Sequence, residues 1–194
     1  MAYTWSKNLT DNQTDRSTAP QNTYNIPAEY GLASLDRRHI FTANYVYEFP
    51  WMKGQEGLVG HLVGGWQISG IVTYNSGIPL TVTSGTGRDF GGLGFLGPSA
   101  AGPRPDMIAN PNAAAPHTID EWFNKAAFAD PAPSSNRPGN SGRGVVRGPG
   151  FGRWDFSVFK NIRVSEQVRM QFRTEMFNVF NHANPSGVGT SFGS

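Results

Sequence analysis

Chemistry in this sequence would begin at Asp36-Arg37-Arg38-His39, where an acid, two bases and an imidazole stand in a row. Such a run could pair a carboxylate with a histidine for proton transfer. The plainer account is the polar start of a strand, where these side chains meet water or lipid headgroups. The histidines His39, His61, His117 and His182 are scattered. None has the H-x-x-x-H or E-x-x-H spacing that builds a metal site. Ser69-Gly70, Ser76-Gly77 and Ser84-Gly85 lack the G-x-S-x-G of a nucleophile elbow. The Gly-rich stretches 85–92 and 142–152 lack both the Lys-Ser/Thr of a P-loop and a Rossmann strand–helix setting. Cysteine is absent, so disulfides, zinc thiolates and thiol nucleophiles are excluded. The residues point to no catalytic, cofactor-binding or metal-binding site, and the expectation is a protein that is not an enzyme and carries no cofactor.

The most informative charges are instead Arg169, Arg173 and Glu175, which share one face of a strand at two-residue spacing. They could form a polar wall lining a lumen, or the wetted face of a soluble sheet. The strand that carries them spans Gln167 to Phe180. Val168, Met170, Phe172 and Met176 occupy its other face. The same period of two recurs in Arg37 to Pro50, Leu62 to Asn75 and Trp154 to Asn161, with a short strand at Tyr3 to Lys7. Ile78 to Thr83 continues the alternation after Ser76-Gly77, as if across a bulge.

Composition agrees with strands. Thirteen Phe, six Tyr and five Trp accompany only 38% hydrophobic residues. Gly (24) and Pro (14) disfavour long helices. A net charge of +2 without a basic block gives no support to nucleic-acid binding. No apolar run is long enough for a transmembrane helix, but a barrel strand needs only alternate greasy residues. The N-terminus has no signal-peptide pattern, which reads as a fragment.

Connections alternate in length. Asn8 to Leu35 and Gly85 to Gly150 are long; Trp51 to Gly60 and Ile162 to Glu166 are short. Outer-membrane barrels show this asymmetry, with brief periplasmic turns and extended outer loops. The 85–150 stretch is too long for a plain linker and should be a folded excursion. Within it, Thr118 to Phe128 reads as a short helix, because Thr118 and Glu121 have capping-box spacing. Trp5, Trp51 and Trp154 lie at or near strand ends, as interfacial girdles do.

Taken together, these stretches resemble the C-terminal barrel region of TonB-dependent outer-membrane receptors of the Oar-like subgroup. The residues that carry the resemblance are Tyr3-Thr-Trp-Ser-Lys7, Asp36-Arg-Arg-His-Ile-Phe41, Gly65-Trp-Gln-Ile-Ser-Gly70 with Ser76-Gly-Ile-Pro-Leu-Thr-Val82, and Trp122-Phe-Asn-Lys-Ala-Ala-Phe128. Further on they are Gly139-Asn-Ser-Gly-Arg143, Arg147-Gly-Pro-Gly-Phe151, Trp154-Asp-Phe-Ser-Val-Phe-Lys160 and Phe172-Arg-Thr-Glu-Met-Phe-Asn-Val-Phe-Asn-His182. The resemblance implies a wide barrel closed by an N-terminal plug, in the bacterial outer membrane, with uptake energised through TonB. Its implied partners are outer-membrane lipid, a plug domain, the remaining strands of a longer chain, the TonB system and a solute.

The expected fold is all-β: an antiparallel meander of about five to six strands, a partial segment of a transmembrane β-barrel, with a long Gly/Pro-rich loop holding a short helix. Residues 1–194 are expected to form one partial barrel domain, with long loops 8–35 and 85–150 and without plug or closing strand. Alternation assigns Phe41, Tyr45, Tyr47, Trp66, Val72, Tyr74, Phe156, Val158, Met170, Phe172 and Met176 to lipid. It assigns Asn44, Glu48, Gln67, Thr73, Asp155, Arg169, Gln171, Arg173 and Glu175 to the lumen. Two alternatives stand beside this reading. One is a soluble Gly-rich β-sandwich acting as a surface or carbohydrate-binding module; the other is a passive porin-like or adhesive barrel.

Overall fold

The period of two becomes a five-stranded sheet in the computed structural model, which describes residues 1–11, 20–85, 88–92 and 102–192. Its strands are β1 (Ala2–Trp5), β2 (His39–Glu48), β3 (Trp66–Asn75), β4 (Phe151–Arg163) and β5 (Arg169–Met176). They lie in chain order, and β2 to β5 pair antiparallel. Strand lengths of 10, 10, 13 and 8 residues for β2 to β5 bracket what a tilted strand needs to cross a bilayer. In such a meander the two long connections leave from the same end.

The boundaries differ from the sequence pattern in physically clear ways. β3 begins at Trp66 rather than Leu62, because residues Gly57–Val63 form the helix α1. Its last turn closes with the Gly64 N–H donating to the Gly60 carbonyl at 2.9 Å. β5 stops at Met176 rather than Phe180, because Asn178 and Asn181 take positive φ and turn the chain. β4 starts three residues earlier than expected, so Trp154 sits inside the strand and not at its end. Ile78 to Thr83 does not extend the main sheet. Pro79–Leu80 makes only a two-residue ladder with Val146–Arg147, since Pro79 has no N–H to continue one.

The chain divides into two compact units. Unit one holds Met1–Thr4, His39–Asn75 and Phe151–Asn184, and therefore the sheet. Unit two holds Trp5–Arg38, Ser76–Gly150 and Pro185–Ser194, and therefore the long connections. The expectation of a folded excursion is met there by a core of Val82, Phe123, Ala127, Phe128 and Val146, packed by Trp122, Leu80 and Phe192. The Phe123 and Phe128 rings meet edge to face, 5.8 Å apart. Each fully buried side chain of this size contributes about 1.5–3 kcal/mol.

Residues 118–128 are not an α-helix. The Thr118 hydroxyl oxygen does accept the Glu121 N–H at 3.0 Å, as a cap should. However, the Thr118 N–H and hydroxyl both donate to the Glu121 carbonyl, which closes a turn instead of opening a helix. The short helices of this loop are 3-10 turns at Lys125–Ala127 and Pro133–Ser135.

Unit two also holds its acids in specific bonds. The Asp36 side chain is fully buried beside Arg147, at 3.1 Å. Burial pulls its carboxyl up, but the Asn8 N–H, the Arg147 bond and the Arg147 and Arg38 charges together bring it below the ordinary carboxylate value. Asp106 is lowered as well, chiefly by its bidentate bond to Arg137. Both carboxyls bind protons less readily folded than unfolded. Their contribution is complete above the unfolded value of 3.8 and lost as pH falls through the folded values. We therefore expect the stability of unit two to be insensitive to these two acids from neutral pH down to about 5, and to fall below about 4. Amide hydrogen exchange across this range checks it; in Asp36→Asn the acid-dependent loss should shrink.

Candidate functional site: a two-faced wall

Register decides which side chains share a face. Tyr45 stands opposite Gly70, Ala43 opposite Val72 and Phe41 opposite Tyr74. Phe156 stands opposite Gly70 on one side and Met176 on the other. Lys160 lies opposite Phe172, and Ile162 opposite Met170. Pairing therefore puts all eleven residues of the first predicted set on one face. The nine of the second set fall together on the other. Asn44 opposes Ile71, Glu48 opposes Gln67, and Thr73 faces Thr42 and Arg153. Asp155 also faces Ile71; Gln171, Arg173, Glu175 and Arg169 face Asn161, Phe159, Ser157 and Arg163.

One pair of polar atoms on the apolar face is matched within the face itself. The Trp154 indole N–H donates to the Tyr45 hydroxyl at 3.0 Å, and the rings meet at 6.5 Å. Tyr45 lies over Gly70, where an added Cβ would come within 2.5 Å of its hydroxyl. Glycine here makes room for the aromatic ring of its cross-strand neighbour. We expect Gly70→Val to expel the Tyr45 ring, leave the Trp154 N–H without an acceptor, and cost about 1–3 kcal/mol. Denaturant titration of the refolded protein measures it, and Gly70→Val in a Tyr45→Ala background should cost distinctly less.

Sequence reasoning left one cation on this face unassigned. Lys160 has the same parity as Phe156 and Val158, and that parity was the available signal. It stands at the end near the short turn, donates to the Leu62 carbonyl at 3.0 Å and to the Gly64 carbonyl, and lies 4.9 Å from the Trp66 ring centroid. A long stem beside an apolar surface with its head on carbonyls is how a lysine snorkels.

The polar face carries a ladder of local pairs. Arg153 bonds Asp155 at 2.7 Å, Arg173 pairs with Glu175, and Gln171 donates to Asn161 at 2.7 Å. Arg173 lies 5.2 Å from the Phe159 ring. Val46 and Ile71, both exposed, lie on this face too, as do Ile40, Phe151 and Phe159, so it is mixed rather than wholly polar. At the short-turn end, Gln55 stands in for a missing strand residue. Its amide donates to the Asn161 carbonyl at 2.7 Å, and its oxygen accepts the Arg163 N–H at 2.8 Å. Gly65, at φ 75°, must come so close to Asn161 and Gln55 that no Cβ fits. Nothing in the spacing of Gln55 revealed this, because its partners are about a hundred residues away.

Asp36, Arg37, Arg38 and His39 do not form one site. Asp36 holds Arg147, Arg37 donates to the Ser76 carbonyl at 3.0 Å, Arg38 lies over the Trp5 ring, and His39 meets the Tyr3 hydroxyl at 2.8 Å. Among the described residues no three His, Cys, Asp or Glu side chains gather as a metal would need. Trp51 follows β2 and stacks on Phe49 at 5.0 Å, and Trp66 opens β3.

Strands of bilayer length, an apolar face without mid-strand charge, an ion-paired opposite face and long connections all at one end define the wall of an outer-membrane β-barrel. The whole chain, residues 1–194, matches the family model described as outer membrane beta barrel domain, and the chain belongs to that family. It is accordingly a protein of the bacterial outer membrane. No curated protein and no solved structure matches it. The β-sandwich alternative is set aside, since beside the main sheet the described residues form only two-stranded ladders.

Proposed function

We propose that this chain is part of the wall of a TonB-dependent importer, with its apolar face on lipid and its ion-paired face on the lumen. The observation that carries the reading is that Asp155, Arg169, Arg173 and Glu175 all lie on the face opposite Tyr45, Trp154, Phe156 and Phe172. The Oar-like pattern from Tyr3 to His182 supports the TonB-dependent assignment, and the folded long connections suit capture of a solute outside. A plug domain and further strands complete the pore, TonB supplies the energy, and the wall itself performs no covalent chemistry.

Planar-bilayer conductance of the gene product that contains this chain separates an importer from a passive pore. A plugged importer holds the membrane near its bare conductance, and opens only when the plug is deleted. A large steady conductance from the intact protein would overturn the importer reading in favour of a passive barrel.

A further inference from the structure

Four cationic side chains from three stretches of unit two line one cleft of about 760 Å³: Lys7, Arg38, and Arg143 with Arg147. Among the described residues no carboxylate lines it, and its amide side chains are Asn110 and Asn112. Leu9, Leu32 and Met107 give it an apolar flank.

The acids behind this wall do not cancel it. Arg147 is bonded by Asp36 at 3.1 Å. Glu29 is held by both terminal nitrogens of Arg104, at 2.9 and 2.8 Å, and stands 3.8 Å from the Arg143 Nε, beyond hydrogen-bond reach. Asp11 is a further acid near Arg143, and Asp36 also feels Arg38. Among the described residues Asp11, Glu29 and Asp36 thus face Lys7, Arg38, Arg104, Arg143 and Arg147, which leaves positive charge in excess. Neither Lys7 nor Arg38 has a carboxylate at ion-pair distance among the described residues. The Nε atoms of Arg38 and Arg143 are also shut off from solvent without a hydrogen-bond partner. A buried guanidinium N–H without an acceptor is costly and asks for an explanation.

We infer that this cleft binds a small oxyanion-bearing solute, a polycarboxylate or a phosphorylated compound, with Lys7, Arg38, Arg143 and Arg147 as its cationic partners. Guanidinium forks suit planar carboxylates and phosphates, while the apolar flank takes a carbon skeleton. As the substrate class of an importer this rests on the function proposed above; as a binding site it does not.

The test is calorimetry on the detergent-purified gene product that contains this chain, with citrate and pyrophosphate as probes and maltose as the neutral control. At least one oxyanion should bind saturably and maltose should not. Raising the salt from about 50 mM to about 500 mM should weaken binding. Lys7→Gln with Arg38→Gln should weaken it about a hundredfold, roughly tenfold for each charge-assisted hydrogen bond removed. Asn110→Asp, a milder variant that places a negative charge on the wall, should weaken it too, whatever the folding of the first. Failure of both oxyanions to bind, or undiminished binding in both variants, overturns the site. If lipid A phosphates are the natural oxyanion source, stoichiometric phosphorus co-purifies with the wild type and is missing from the variant with Lys7 and Arg38 replaced. That result upholds the site and names its occupant. An open pore in the conductance experiment would overturn the importer and leave these binding results standing, and the reverse holds equally.

Discussion

Phe156→Arg should destabilise the folded barrel by about 2–4 kcal/mol, whereas Ser157→Arg, one residue along, should cost far less. Both positions lie near the middle of β4. Phe156 stands between Gly70 and Met176 on the face that also carries Val72 and Tyr45. A guanidinium there must be buried in hydrocarbon or drag water inward, and no carbonyl end lies within reach as it does for Lys160. Ser157 stands opposite Glu175, so an arginine there meets a carboxylate already accustomed to Arg173. Reversible urea unfolding of the containing gene product in lipid vesicles reads the difference directly. Equal costs at the two positions would mean that the sheet does not separate lipid from water.

The second large effect lies in unit two. Glu29→Ala should destabilise it by about 3–5 kcal/mol, because two buried guanidiniums lose their common counter-charge. Glu29 and Arg104 are each 3% exposed, and Arg143 is 8% exposed. Glu29 also accepts the Gln21 N–H at 3.1 Å, so a further donor is stranded. The contrast is Asp106 with Arg137, an equally short pair whose arginine side chain is 49% exposed. Solvent screens that pair, and Arg137→Ala should cost far less than Glu29→Ala. Hydrogen exchange resolved by segment, at amides around Phe123 and Val146, measures both. Similar small effects at Glu29 and Arg137 would show that the buried network is not what holds these connections together.

The wall was readable because a strand's side chains alternate strictly. Once Phe156 and Val158 are on one face, Asp155 and Ser157 have only the other. Joining four strands needs one more rule, that greasy faces join greasy faces, and the register of Tyr45 on Gly70 and Phe156 on Met176 follows it. Unit two has no such rule. Its core residues Val82, Phe123 and Val146 come from short stretches broken by proline and glycine, and no period connects them. Glu29 and Arg104 are joined across 75 positions and carry no local mark. Residues 118–128 mislead for a related reason. Capping spacing is a local signal, and here the hydroxyl satisfies the backbone in a turn while Phe123 goes to the core. Helix α1 was missed because Gly57 and Gly60 interrupt a segment of seven residues, too short to show a helical period.

The chain contains no cysteine, so single cysteines for spin labels can be placed at will along β4. Collision of labels with oxygen, which dissolves in lipid, and with a charged nickel chelate, which stays in water, is the most direct test of the wall. In the containing gene product reconstituted in bilayers, labels at positions 154, 156 and 158 should favour oxygen, and those at 155, 157 and 159 the chelate. The two profiles should run out of phase with a period of two. Uniform access along the strand, or the opposite phase, would contradict the account.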